Sequence, residues 1–387
     1  MKYLDNIYTW FIVFSISVLG LFIYSFSQVD LNLTLSSNQY YQLFQASLTQ
    51  VGYFNRPTSV LIYIVLVVSL FMSYISLIYR SNLSKTKLSN VVKVALIGSI
   101  ILTLSYPAFS YDIFNYIFDA RILVEHNNNP YLHTALDFPD DLWTRFMRWT
   151  HRTYPYGPTW LVVTVPFYIL GQGKFLLTLL SFKLIGFLSY LLGGLGIYLT
   201  LKKHSPKDVK LALILYLFNP IILIEGLISA HLDMAMAGIM LFGIGLYASE
   251  RRWHGWLGLL FSIGIKYVSG AVTPLLFLFH QKKISFDTMV IGSVLLSYIL
   301  TAIVVSQREL LPWYFIVPFS LTCLVPRKKT LLKLMLALTP ALLVRYAPFI
   351  YVGSYPSEVY LARNILTAVI FCLVLLVSVK IEFTQKK

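Results

Sequence analysis

Two aspartates seven residues apart, Asp112 and Asp119, stand in a polar segment that directly follows the apolar run 91–104. On a helix this spacing places both carboxylates on one face, two turns apart. A carboxylate acts as a general base when it reaches a substrate hydroxyl, and Arg121 adds a positive charge close by. The alternative is a surface helix whose acids only face water. Asp112 is the first candidate for the base, and Asp119 is the second.

The polar segment 105–158 concentrates the ionisable groups of the chain. It holds six of the sixteen acidic residues, three of the seven histidines and four arginines. We therefore predict that residues 105–158 form a catalytic loop beside a membrane.

Aromatic and basic residues occupy two turns of this loop. Asn-Pro before Tyr131 is a turn signal, and Tyr156 lies in the proline-bounded sequence Tyr-Pro-Tyr-Gly-Pro. His151 and Arg152 stand just before that sequence, and both are natural partners of a phosphate. These residues are candidates for substrate binding, although anchoring tyrosines and solvated charges give the same pattern.

Further ionisable residues lie in later apolar runs, namely Glu225, His231, Asp233 and Lys266. Ionisable groups at membrane depth are candidates for function. His231 and Asp233 are two residue types that bind metals, but no third ligand stands at a recognisable spacing. We therefore predict no cofactor and no metal site; the alternative is a divalent metal, which the sequence does not indicate.

Composition places the chain in a membrane. Of its 387 residues, 57% are hydrophobic and 12% are charged, and the mean hydropathy is +0.71. The net charge of +15 comes from basic clusters between apolar runs, which is typical of the cytoplasmic flanks of membrane helices and not of a nucleic-acid partner. Both cysteines, Cys323 and Cys372, lie in apolar runs, so no disulfide framework is predicted.

The basic clusters fix a topology with both ends of the chain in the cytoplasm. The first run is interpreted as a retained helix and not as a cleaved signal. We predict one transmembrane domain over residues 1–387, with about twelve spans. The predicted spans are 8–27, 59–79, 91–106, 175–200, 210–228, 233–249, 255–267, 268–281, 286–305, 311–325, 330–350 and 359–379.

The run 159–170 is too short to cross, because twelve residues of helix reach only about 18 Å of a core of about 30 Å. It is predicted to be an interfacial or re-entrant helix. This topology puts the polar loop on the outer face, together with Lys266 and Arg308, the latter a further candidate for substrate binding.

An ordered set of motifs connects these residues. It comprises Asp112 with Tyr116 four residues later, Asn129-Pro130-Tyr131, Tyr154 to Pro158, Asn219-Pro220, His231 with Asp233, Lys266, and Pro312-Trp313-Tyr314. The set resembles membrane glycosyltransferases of the GT-C fold, and most closely the polyprenol-phosphomannose-dependent α-1,6-mannosyltransferases. The resemblance covers roughly residues 90–320.

The resemblance implies an inverting transferase of the cell envelope, in the plasma membrane, with its active site on the outer face. A hexose, mannose by this likeness, would pass from a polyprenyl-phosphate sugar to a glycan or glycolipid acceptor. Asp112 would be the base, and Lys266, His231 or Arg152 would stabilise the departing phosphate.

Two other functions compete with this interpretation. A transporter or a flippase for lipid-linked sugars would favour charges near the bilayer midplane and internal repeats. Here the ionisable residues collect at one face and no repeat of fixed period is visible. A non-catalytic membrane scaffold would not need Asp112 and Lys266 to converge.

Overall fold

A computed structural model describes residues 6–81 and 86–380, without the side chains of 378–380. Lys2 and the basic residues after 380, on which the predicted cytoplasmic ends depend, lie outside this part of the chain. Within it, 76% of the residues are helical and no strand occurs. The prediction of an all-α protein is confirmed.

Seventeen α-helices are present in the described ranges. The first nine are α1 Ile7–Phe26, α2 Gln39–Thr49, α3 Arg56–Arg80, α4 Leu88–Thr103, α5 Asp112–Val124, α6 Pro158–Leu170, α7 Phe175–His204, α8 Val209–Leu217 and α9 Pro220–Leu223. The remaining eight are α10 Leu232–Ala248, α11 Arg252–Ile263, α12 Val272–His280, α13 Phe286–Gln307, α14 Ile316–Thr322, α15 Lys329–Leu343, α16 Tyr346–Val352 and α17 Ser357–Lys380.

Six helical stretches are long and apolar enough to cross a membrane, or seven if one bent pair counts as a span. They are Ile7–Phe26, Arg56–Arg80, Phe175–His204, Phe286–Gln307, Lys329–Val352 and Ser357–Val377, and the bent pair is Pro206–Leu217 with Pro220–Ile228. A polytopic membrane protein is therefore confirmed. Each predicted run contains helix, but several helices are short, so the count of twelve spans stays a prediction.

The predicted short helix after the polar loop is α6, which has 13 residues and contains Pro166. A helix of that length reaches about 20 Å, less than the hydrocarbon core. The two short runs on either side of Lys266 are also helical, and Lys266 itself is extended, with φ −160° and ψ 141°. The helix is therefore interrupted at Lys266, and the hairpin that the sequence predicts there stays a prediction.

The centre of the molecule is the segment 211–238, in which every residue is buried. Its last seven residues form the start of α10, and α10 packs against both α7 and α11. Small residues allow the close approach of α7 and α10. A Cβ on Gly196 would overlap the backbone carbonyl of Leu241, and one on Gly238 would overlap that of Ser189.

We predict that Gly196→Ala destabilises the protein, because backbone atoms of α10 cannot move aside for the added methyl group as a flexible side chain can. The matched control is Gly194→Ala, whose Cβ would meet side-chain atoms alone, of Leu217 at 3.3 Å and of Tyr216 at 3.9 Å. Overpacking of this kind costs about 1–3 kcal/mol. Thermal unfolding in detergent should show a lower midpoint for the Gly196 variant, and equal midpoints for both variants would contradict the prediction.

Candidate active site

Asp112 is the first residue of α5, where a carboxylate is favoured by the positive end of the helix dipole. Its backbone N–H donates to Oγ of Ser110 at 3.2 Å, and its Oδ1 accepts from the indole N–H of Trp149 at 3.2 Å. The side chain keeps 14% of its surface exposed. Asp112 is thus oriented by neighbours and still open to a substrate.

His231 lies against Asp112 because the helical segment before it is interrupted twice, at Asn219 and at Ala230. Asn219 caps α9 by accepting from the backbone N–H of Ile221 at 2.9 Å, and Pro220 stands in the first turn, which bends the axis by 51° from α8. A π-helical turn follows at Ile224–Ile228. Ala230 then adopts a left-handed backbone, with φ +54°, a strained conformation for a residue with a Cβ.

The imidazole of His231 is fully buried between two carboxylates. Its Nδ1 lies 3.6 Å from Oδ2 of Asp112, and its Nε2 lies 3.4 Å from Oε2 of Glu225. The ring stacks on Trp313 with 3.8 Å between centroids and 19° between planes. Tyr346 completes the chain of contacts by donating to Oε1 of Glu225 at 2.8 Å. His231 therefore connects the partly exposed carboxylate of Asp112 to the fully buried carboxylate of Glu225.

Lys266 and Asp233 form an ion pair on the other side of the site. Nζ of Lys266 lies 2.8 Å from Oδ1 of Asp233, and it lies 5.0 Å from the ring centroid of Tyr314. The side chain of Lys266 is 22% exposed and that of Asp233 is 4% exposed. The pair therefore leaves the ammonium group within reach of an anionic ligand.

Arg152 provides a second cation near Asp112. One of its guanidinium nitrogens donates to the hydroxyl of Tyr156 at 3.3 Å, and its charge centre lies 5.6 Å from the ring of Trp149. Burial raises the pKa of Asp112 above its ordinary value, while the charges of Arg152 and Lys266 limit the rise. The result is a carboxylate of increased basicity between two cations.

Asp119 shares the electrostatic surroundings of Asp112 but lies deeper, with 8% of the residue exposed. Burial raises the pKa of Asp119 to about 7, which the charge of Arg152 opposes and the charge of Asp112 reinforces. A base must be reached by the hydroxyl from which it takes a proton. The greater exposure of Asp112 therefore favours it over Asp119.

Two other predicted residues support the polar loop. Nε of Arg121 lies 2.5 Å from Oδ2 of Asp141, and another of its nitrogens donates to the hydroxyl of Tyr168 at 2.8 Å. The hydroxyl of Tyr131 donates to the backbone carbonyl of Tyr156 at 3.0 Å. Arg121 thus connects the loop to α6, and Tyr131 holds the turn before α6.

The last two predicted residues are exposed. His151 lies edge-on to Trp149, with 6.2 Å between ring centroids. Arg308 follows the last residue of α13. The structure therefore brings Asp112, Arg152, Tyr156, His231, Asp233 and Lys266 together, with Asp119 beneath them, and leaves Arg121, Tyr131, His151 and Arg308 outside this group.

Three residues that sequence reasoning missed as parts of the site are Trp149, Tyr346 and Lys183, whereas Trp313 stood in the ordered motifs without an assigned role. Lys183 is 1% exposed in the middle of α7 and donates to the backbone carbonyls of Leu227 and Ile228, the latter at 2.6 Å. An ionisable residue inside a long apolar run is a detectable signal. Trp149 and Tyr346 offered no comparable signal, because aromatic side chains are common throughout this chain.

No group of three or more His, Cys, Asp or Glu side chains suited to a metal ion occurs in the part of the chain that the structure describes. Metal independence stays a prediction.

Comparison with known proteins places the chain in a family. Residues 18–281, more than half of the chain, match the sequence profile described as alpha-(1->6)-mannopyranosyltransferase, N-terminal domain. The chain belongs to this family. The family predicted from the ordered motifs is thereby confirmed.

A relative in Mycobacterium tuberculosis (strain ATCC 25618 / H37Rv), alpha-(1->6)-mannopyranosyltransferase A, is 30% identical over 184 residues. The aligned region is 45% of this chain but only 34% of that protein. No solved structure matches the chain. The region matched by the alpha-(1->6)-mannopyranosyltransferase family contains Asp112, His231 and Lys266, whereas Trp313 and Tyr346 lie beyond it.

We predict that Lys183→Met destabilises this family member, because two buried carbonyls next to the turn that carries Glu225 lose their donor. A buried acceptor left without a donor costs about 1–3 kcal/mol. The matched control is Lys202→Met, an exposed position of the same helix. Unfolding midpoints in detergent measure the effect, and an unchanged midpoint for the Lys183 variant would show that its contacts are dispensable.

Proposed function

We propose that this protein is an inverting mannosyltransferase of the plasma membrane. It moves mannose from a polyprenyl-phosphate donor to a hydroxyl of a glycan or glycolipid acceptor on the outer face. Family membership supports the sugar and the reaction class. The observation that carries the proposal is the position of Asp112, partly exposed and oriented by Trp149, with Arg152 and Lys266 both acting on its charge.

In the proposed reaction Asp112 accepts the proton of the acceptor hydroxyl. The acceptor oxygen forms a bond to C1 of the mannose from the face opposite the phosphate, and the bond from C1 to the phosphate oxygen breaks. The electron pair of that bond leaves with polyprenyl phosphate, so the configuration at C1 inverts. Burial favours this role, because a carboxylate of raised pKa is a stronger base while it remains ionised.

The leaving phosphate gains negative charge as its bond to C1 breaks. Lys266 and Arg152 are the two cations whose charges act on Asp112. Fixed positive charges in a site of low dielectric constant stabilise such a transition state. His231 is a positioning residue in this scheme. Its contacts with Asp112 and Glu225 hold the base, and its stacking on Trp313 fixes the ring.

The proposed architecture is a GT-C fold with twelve spans and α6 lying along the membrane. Several apolar helices are shorter than a full span, including α4, α6 and α10. Such helices leave room at membrane depth for the apolar tail of a polyprenyl donor, while the polar loop 105–158 receives the sugar and the acceptor. No cofactor takes part in this scheme.

We predict that Asp112→Asn abolishes mannosyl transfer, since an amide cannot accept the proton, with a loss of at least about 100-fold. The matched variant Asp119→Asn should lose about tenfold or less, because Asp119 only shares the local charge. The measurement is transfer of labelled mannose from polyprenyl-phosphate mannose to a short α-1,6-mannoside.

A panel of other polyprenyl-phosphate sugars serves as the donor control in the same assay, and unfolding midpoints verify that each variant is folded. A greater loss in the Asp119 variant than in the Asp112 variant would transfer the base role to Asp119. Transfer from another sugar, with none from the mannose donor, would refute the proposed donor.

The outer-face placement predicts opposite labelling of two cysteine variants in a Cys372→Ser background. Leu136 is 62% exposed in the polar loop, and Lys203 is exposed at the last turn of α7. In intact cells an impermeant maleimide should label the Leu136→Cys variant and leave the Lys203→Cys variant unlabelled until the membrane is opened. The reverse pattern would place the loop in the cytoplasm.

A further inference from the structure

Two buried arginines form a second cationic cluster in the C-terminal part of the chain. Arg345 follows α15 and is 1% exposed, and Arg363 lies in the second turn of α17 and is 4% exposed. Both guanidinium groups contact Oε1 of Glu309, that of Arg345 at 3.4 Å. Glu309 itself is 33% exposed.

The positive charge of this cluster exceeds its negative charge. Glu309 is the one carboxylate within ion-pair distance of either arginine among residues 6–81 and 86–380. A single carboxylate balances one guanidinium group, and a buried charge without a counter-charge is costly. The cluster therefore has the charge to take up one further anion.

The hydrogen bonds of the two side chains also remain incomplete. One terminal nitrogen of Arg345 donates to Asn364 and to Thr367, each at 3.0 Å. The buried Nε atoms of Arg345 and Arg363 have no hydrogen-bond partner. Two guanidinium groups that share one carboxylate and each keep an unpaired N–H have the donors that a phosphate group requires, because a phosphate accepts several charge-assisted hydrogen bonds at once.

The surroundings of the cluster are suited to a lipid. The guanidinium of Arg363 lies 5.5 Å from the ring of Tyr355 and 6.0 Å from that of Tyr360, and tyrosines favour the membrane interface. Large apolar side chains along α17 are exposed, among them Leu361, Ile365, Val369 and Leu373. Arg363 stands about 9 Å along the axis from the first residue of α17. These apolar side chains project to the other side of the helix from Arg363, whereas Tyr355 and Tyr360, which lie beside its guanidinium, are exposed. A lipid that packs against the first turns of α17 would therefore carry its phosphate at the depth of Arg363 and approach it past these two tyrosines.

We infer that Arg345 and Arg363 bind the phosphate group of a membrane lipid. This site is distinct from the Asp112 site but coupled to it through the backbone, because the residue after Arg345 is Tyr346, which donates to Glu225. The inference does not require the proposed sugar transfer. The lipid is either an anionic phospholipid of the bilayer or the polyprenyl phosphate of the donor, which share this chemistry.

The test measures lipid binding to the full chain in an uncharged detergent. The probe is dioctanoyl phosphatidylglycerol, and farnesyl phosphate, inorganic phosphate and dioctanoylglycerol are the competitors. Phosphatidylglycerol should bind, dioctanoylglycerol should not compete, and inorganic phosphate should compete only weakly. Competition by farnesyl phosphate with the same dependence on the arginines would identify the polyprenyl donor as an occupant, and its failure to compete would identify the bilayer phospholipid.

Two substitutions should change the affinity in opposite directions. Arg363→Gln should weaken binding about tenfold by removing charge-assisted donors, and Arg363→Lys should give an intermediate loss. Glu309→Gln should tighten binding about fivefold, since it removes the competing carboxylate. The matched control Arg327→Gln, at an arginine paired with Asp208, should leave binding unchanged.

A cluster that only joins helices would lose stability in the Glu309 variant without any gain in affinity. Unchanged or weaker binding by a folded Glu309→Gln variant would therefore overturn the inference. Inorganic phosphate that competes as well as either lipid would also overturn it. The binding test contains no sugar donor, so its result is independent of the transfer assay. A protein that binds the lipid but transfers no mannose would refute the proposed function and leave this inference standing.

Discussion

The burial of His231 between two carboxylates is the constraint on which the rest of the site depends. A polar ring in an apolar helical bundle is costly unless polar groups surround it, since water cannot reach it. Oδ2 of Asp112 lies 3.6 Å from Nδ1 and Oε2 of Glu225 lies 3.4 Å from Nε2, which makes no hydrogen bond, and Trp313 covers the ring face. These residues come from α5, the bent helix and the turn before α14, so the contacts of one imidazole fix three distant parts of the chain relative to one another.

The break in the helix between α8 and α10 makes this arrangement possible. A continuous helix from 209 to 248 would carry His231 past the start of α5 and would keep its carbonyls paired internally. The helix instead ends at Ile228, which leaves its last carbonyls without an intrahelical donor, and Lys183 satisfies two of them from α7. Lys183 reaches them because glycines allow α7 and α10 to approach closely. The geometry of the site therefore depends on the close packing of these helices.

Positive charge lies on both sides of the buried network. Arg152 and Lys266 act on Asp112 directly, while Arg345 and Arg363 lie behind Tyr346 and Glu225. The first pair belongs to the region matched by the family, and the second lies beyond it. A protein that handles a phosphate-bearing lipid benefits from both positions, since the phosphate must be held near the reacting carbon and the lipid must be held at the membrane surface.

Sequence alone determined the membrane class, the all-helical fold, the family and most of the residues around Asp112. These follow from hydropathy, basic clusters and an ordered set of motifs, all of which are local in the chain. The structure decided which charges meet. Arg121 could not be separated from Arg152 by sequence, because both lie in the same polar loop, and only packing turns one toward Asp141 and the other toward Asp112. Trp149 and Tyr346 were missed for the same reason, and Trp313 was recognised only as part of a motif. Their roles depend on contacts between residues 37 to 121 positions apart, and the folding of the helices against one another creates those contacts.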